Sequence, residues 1–141
     1  MAPPRIVIDT NVFIAALRSR RGASYRLFLM LDSGLFETLI SMSLILEYEA
    51  VASRMLSEIA LDAEDLEAIL DYICTVSFTQ SVYFSWRPYL QDPADDMILE
   101  LAVAGQCDVI ITFNRRHFQG VERFGLGVLT PKQFLGLLGE T

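Results

Sequence analysis

Two uninterrupted aliphatic runs, Ile6-Val7-Ile8 and Val109-Ile110-Ile111, constrain this chain more than anything else in it, and a polar residue follows each at once: Asp9 and Thr112. A strand without polar alternation is buried on both faces, which requires helices above and below the sheet. Arg5 to Ile8 and Val109 to Thr112 are therefore expected as central strands. Between them the pattern alternates. Val12 to Leu17 and Ser24 to Leu31 read as helical, with Gly34 as the stop, and Glu37 to Ile40 reads as a strand. Ser43 is expected to cap a helix through about Met55, and Asp62 with Asp65 to cap another through about Cys74. Val76 to Thr79 and Tyr83 to Trp86 read as strands. Asp95 or Asp96 opens a helix in which Ile98, Leu99, Ala102 and Val103 share a face and Gly105 is the stop; Gly127 to Leu129 is a last strand, and Thr130-Pro131 opens a final helix to Leu138. Strands alternating with helices over 141 residues, with no repeat or linker, imply one α/β domain: a three-layer α/β/α sandwich with a central, mainly parallel sheet of four to five strands.

Composition narrows the function. Hydrophobic residues make up 52% of the chain, too many for a disordered polymer. Eleven bases, all arginine except Lys132, stand against 18 acids, a net charge of −7 that excludes a basic nucleic-acid coat. It does not exclude a nucleic-acid enzyme, because carboxylates gathered around a cation are neutralised in the loaded site. Asp9 interrupts the N-terminal apolar run before signal-peptide length, and no apolar stretch approaches the roughly 18 residues of a membrane span. The expectation is a soluble cytoplasmic protein with no membrane partner, its lone Cys74 and Cys107 kept as buried thiols.

In open parallel sheets the chemistry lies beyond the carboxyl ends of the strands, where the strand order reverses. Four polar features fall at such places: Asp9-Thr10-Asn11, Glu47, the acids Asp92, Asp95 and Asp96, and Thr112 with Asn114. Asp9 is the strongest, since an acid ending a central apolar strand is desolvated. Adjacent acids at 95 and 96 repel in a way that folding does not require and a cation relieves. An all-oxygen set suits Mg²⁺ or Mn²⁺. Zinc is poorly served, because His117 is the sole histidine, read here as a surface or packing residue, and there is no CxxC pair. A Walker A loop, a dinucleotide loop and a Gly-x-Ser-x-Gly elbow are all missing. A dehalogenase-type phosphatase wants a second aspartate where Asn11 stands, and a receiver domain wants a lysine at a late strand end, whereas Lys132 falls just inside the last helix.

At these residues the chain resembles a known family. Ile-Val-Ile-Asp9-Thr10-Asn11-Val12, Ser43 with Glu47, Asp92-Pro-Ala-Asp95-Asp96-Met-Ile-Leu-Glu-Leu-Ala102 and Asp108-Val-Ile-Ile-Thr112-Phe-Asn114 are similar to the successive motifs of PIN-domain ribonucleases, in the branch related to the VapC toxins of toxin–antitoxin pairs. The resemblance runs from about Ile6 to Phe134. It implies a three-layer fold, Mg²⁺- or Mn²⁺-dependent cleavage of RNA, a homodimer and a cognate antitoxin. By position it assigns the metal-binding, catalytic acids to Asp9, Glu47 and one of Asp95 and Asp96: counting back from Ala102 favours Asp95, and counting back from Thr112 admits Asp96. Asn114 stands where many relatives carry a fourth acid. Thr10, Asn11, Ser43 and Thr112 are assigned to holding acids or waters. Arg18, Arg20, Arg21, Arg26, Arg115 and Arg116 are expected at the rim as phosphate contacts. Tyr83, Phe84, Trp86 and Tyr89 are read as core or dimer-interface aromatics rather than base-stacking ones.

Overall fold

Residues 2–83 and 90–140 are described in the computed structural model. Five parallel strands form one sheet in the order β3-β2-β1-β4-β5. Strand β1 (Arg5–Ile8) lies at its centre between β2 (Glu37–Ile40) and β4 (Val109–Ile111), with β3 (Phe78–Thr79) and β5 (Gly127–Leu129) at the edges. Ile6, Val7 and Ile8 are fully buried, as are Ile110 and Ile111, which is the burial that an aliphatic run without alternation demands.

The connections fix the layers. The chain steps outward from β1 to β2 through α1 (Thr10–Arg18) and α2 (Ala23–Leu29), then to β3 through α3 (Met42–Ser53) and α4 (Ala63–Val76). It then reverses, and α5 (Pro93–Ala104) carries it back across the sheet to β4. Right-handed crossovers running in opposite directions put their helices on opposite faces, so α5 covers the face that α1 to α4 leave open. It packs on β1, β2 and β4, while α6 (Pro131–Leu137) packs against α2. The strand order therefore reverses between β1 and β4. Gly105 ends α5 against β2: a Cβ there would stand 2.1 Å from a methyl carbon of Leu39, so any larger residue would have to displace that side chain.

Several boundaries differ from those expected, each for a local reason. Ser41, not Ser43, caps α3, its Oγ accepting the Leu44 N–H at 3.1 Å; Ser43 lies exposed inside the first turn. Asp92 caps α5 through the Ala94 N–H, with Pro93 following it, so Asp95 and Asp96 lie within the first turn rather than opening the helix. α2 ends at Leu29, before Gly34, which takes a left-handed φ of +82° in the turn into β2. α4 runs on through Val76 and leaves β3 only two residues. Asp62 and Asp65 form the reciprocal capping box expected of them. Cys107 is buried, but Cys74 is exposed, at the margin of the face that Leu66, Leu70 and Ile73 turn to the core. The strand expected at Tyr83 to Trp86 lies, beyond Tyr83, outside the described residues, together with Phe84, Trp86 and Tyr89. Tyr83 itself is 93% exposed and belongs to no core. No helix among the described residues is long and apolar enough to cross a membrane.

Candidate active site at the β1–β4 switch point

Asp9 stands where β1 ends and α1 begins, and serves as the N-cap of that helix: its Oδ1 accepts the Thr10 N–H at 2.8 Å. Its Oδ2 accepts the hydroxyl of Thr112, from the end of β4, also at 2.8 Å. The direction of that hydroxyl proton is decided by its other neighbours. Thr112 Oγ1 accepts from the Asn114 backbone N–H at 3.0 Å and from Asn11 Nδ2 at 3.4 Å, so its one hydrogen is left for Asp9. Asn11 Oδ1 in turn accepts the Phe113 N–H at 3.4 Å. Side chains from α1 and the β4 end thus hold the Asp9 carboxylate in one orientation. Thr10 contributes through its backbone rather than its side chain.

A second acid approaches from α5. Asp95 and Asp96 are adjacent and both buried, yet they point to different duties. Asp96 accepts the Leu90 N–H at 2.7 Å and ties down the segment before the helix. Asp95 Oδ2 lies 3.2 Å from His117 Nδ1. Burial, followed by the charges of Asp9 and Asp92, pushes the Asp95 carboxyl from the ordinary 3.8 up to about 6. Asp9 is raised too, by burial first, against the lowering effect of its bonds from Thr112 and Thr10. Asp9, Asp92, Asp95 and His117 thus sense one another electrostatically at the C-terminal ends of β1 and β4.

His117 is half-exposed, as a surface residue should be, but nothing in the chain's local pattern signals its contact with Asp95. Tyr48 is a second group without a sequence signal beyond its helical spacing. It is buried, stacks on Phe13 at 4.5 Å between ring centroids, and donates its hydroxyl to the Ile8 carbonyl. That bond fixes α3 against the strand end that carries Asp9. Burial, and then the charge of Asp9, raise the Tyr48 phenol well above its usual range, so it remains a donor. Glu47 precedes it on α3 and is half-buried.

The other expected residues are spread more widely. Ser43 lines a separate cleft with Ser41, Gln80 and Glu100. Asn114 is exposed beyond Thr112. Arg18 lies at the far end of α1 from Asp9, about 13 Å along the helix, and pairs with Glu58 at 3.7 Å; Arg20, Arg21 and Arg26 follow it in sequence and are exposed. Arg115 and Arg116 follow Asn114 in a 3₁₀ turn over Arg115–Phe118. Arg116 lines a cleft of about 670 Å³ with Asp92, Asp95 and His117.

Among the described residues no three His, Cys, Asp or Glu side chains form a ready-made metal cage. The donor chemistry nevertheless fits a hydrated divalent ion. Mg²⁺ is usually held by one or two carboxylates and keeps several waters, and a desolvated, mutually repelling pair such as Asp9 and Asp95 gains most from a cation.

The electrostatics carry a testable consequence for the metal-free protein. A carboxyl whose folded pKa is raised binds more protons in the native state between its unfolded and folded values. The contribution of Asp95 to stability should therefore be fully present below about pH 4 and be lost, by on the order of 1 kcal/mol after solvent screening, as the pH rises through about 6. Thermal melts of Asp95→Asn beside the parent check this: the slope between pH 4 and 6 should flatten in the variant, and an unchanged slope would assign it elsewhere.

Comparison with known proteins identifies the fold and the family. No curated protein is significantly similar to the chain in sequence. Among solved structures, VapBC2 from Rickettsia felis, bound to a DNA fragment from their promoter, is similar in fold. It has a TM-score of 0.62 at 14% identity, covering 88% of this chain and 98% of that one. A family model described as PIN domain matches residues 5–116, which takes in β1 through β4 and every acid discussed above. With the five-stranded parallel sheet and an aspartate at the end of its central strand, that match makes the chain a member of the PIN domain family.

Proposed function

We propose that the chain is a divalent-metal-dependent ribonuclease that hydrolyses RNA phosphodiester bonds, and the toxin of a toxin–antitoxin pair. The observation that carries the reading is the convergence of Asp9 and Asp95 at the β1–β4 switch point, with Asp9 held from both sides by the Thr10 N–H and the Thr112 hydroxyl. PIN domains are generally nucleases, and this is the place in an open parallel sheet where a substrate binds.

Asp9 and Asp95 are the acids that would hold Mg²⁺ or Mn²⁺, with Glu47, Asp96 and Asn114 as the remaining assignments from the motif pattern. The ion supplies Lewis-acid polarisation of the phosphodiester and a more acidic water. The chain's own residues do the rest. Thr112 and the Thr10 N–H keep the Asp9 oxygens turned to one side, and Asn11 with the Asn114 N–H keeps Thr112 in its donating role. His117 holds one oxygen of Asp95. Arg115 and Arg116 are the bases nearest in sequence to this site and would supply phosphate contacts there. Ser43 is left without a part in this scheme, and Ser41 takes the capping role.

The antitoxin and homodimer readings draw support from apolar side chains left open to solvent. Met42 and Leu46, one turn apart on α3, are 65% and 57% exposed. The likeness in fold to VapBC2 from Rickettsia felis points the same way. RNA as the substrate class and the cytoplasm as the compartment belong to the same proposal.

Cleavage of a pool of single- and double-stranded RNA in EDTA, Mg²⁺ or Mn²⁺ tests the reading. Products that appear with either metal and not in EDTA are expected. Equal cutting in EDTA would overturn the metal-dependent mechanism, and an inert, folded protein would favour a silent PIN-like binding module.

A further inference from the structure

The turn that follows β4 presents an aromatic ring next to the acids. Phe113 comes directly after Thr112, the residue that orients Asp9, and its N–H is held by Asn11, yet its side chain is 49% exposed. A single half-exposed phenylalanine is ordinary in itself, so a role for this one needs a second observation beyond its pinned backbone.

The surroundings supply one. Phe113 lines an open cleft of about 1090 Å³ with Arg115, Arg116, His117 and Gln119, and Glu122 is the only acid there. In a chain of net charge −7 this is a local reversal of sign. The cleft is also continuous with the acid site. Arg116, His117 and Gln119 line it and equally line the neighbouring cleft that holds Asp92 and Asp95. One path therefore leads from the carboxylates, over two cationic or protonatable side chains, to an exposed aromatic face.

Alternating cations and an aromatic platform suit a single strand. Its phosphates follow the cations, and an unpaired base has a free face for the ring, which a paired and stacked base does not. We propose that Phe113 is a substrate-positioning residue that stacks one base of single-stranded RNA beside the cleavage site, with Arg115 and Arg116 on the flanking phosphates. This rests on the ribonuclease reading and adds to it the residue that positions a base beside the acids.

The test is a binding measurement on the full chain in EDTA, where no cutting occurs, using a fluorescently labelled single-stranded oligoribonucleotide and a fully paired, blunt-ended RNA duplex. Phe113→Ala should weaken single-strand binding roughly tenfold, within the range of about 5- to 150-fold that loss of one stacked base gives, and leave duplex binding within about twofold. Phe113→Trp should restore it. Leu137→Ala, at an exposed position on α6, controls for the loss of a surface apolar group. Unchanged single-strand binding in Phe113→Ala, an equal loss on the duplex, or no rescue by tryptophan would each overturn the stacking role. If the parent cuts RNA with metal and Phe113→Ala binds it unchanged, only this inference falls. If the parent neither binds nor cuts RNA, the ribonuclease reading falls with it.

Discussion

Asp9→Asn should abolish divalent-dependent RNA cleavage, by at least about 100-fold, while the protein stays folded. Removing a group that merely orients a metal ligand costs about 10- to 100-fold in affinity or activity, so replacing the ligand itself sets that as a lower limit. The fold should survive because asparagine keeps the shape and one oxygen for the Thr10 N–H. Burial already disfavours the charge at this position, so the uncharged amide also removes an electrostatic cost. What the amide cannot do is accept the Thr112 hydroxyl on its nitrogen or lend a negative charge to a cation. Two readouts separate these effects: RNA cleavage, and the rise in melting temperature on adding Mn²⁺, which the parent should show and the variant should lose. A variant that cut RNA as fast as the parent would remove Asp9 from the metal site.

Thr112→Val should weaken Mn²⁺ binding and cleavage about 10- to 100-fold with every acid intact. The side chain is fully buried and valine matches its shape, so packing changes little. The loss is chemical. Asp9 Oδ2 gives up its donor, and the Asn114 N–H and Asn11 Nδ2 give up the acceptor they share. With these donors partly reached by water, the stability cost should be about 1 kcal/mol. Thr112→Ser returns the hydroxyl and should recover most of the binding. If valine left Mn²⁺ affinity unchanged, the orientation of Asp9 would have to come from the Thr10 N–H alone.

How much of this was written in the chain differs from element to element. The central strands were legible because Ile6-Val7-Ile8 and Val109-Ile110-Ile111 have no polar alternation, and only a doubly covered strand tolerates that. The start of α6 was legible from Thr130-Pro131. The same signature at Asp92-Pro93 is masked by the acids behind it, since a carboxylate anywhere in the first turn favours the helix dipole and so marks no single boundary. Ser43 is the expected cap of α3, but Ser41, two residues earlier and directly after β2, takes that place. The exposure of Cys74 was hidden because a one-residue turn about α4 separates it from the buried Ile73.

Local runs of residue type were enough to settle the α/β class, the parallel sheet and the position of Asp9 at the end of its central strand. Which groups surround that aspartate was settled only by the packing of distant segments. Asp95 was separated from Asp96 by the rotation of α5 on the sheet, which turns one carboxylate toward Asp9 and His117 and the other toward the Leu90 N–H. His117, Tyr48 and Thr112 reached the site across wide gaps in the chain, through the crossover that sets β4 beside β1 and the packing that sets α3 on its end. Periodicity reports how each segment faces the core, whereas contacts between segments are set by strand order and helix rotation, which no local pattern encodes.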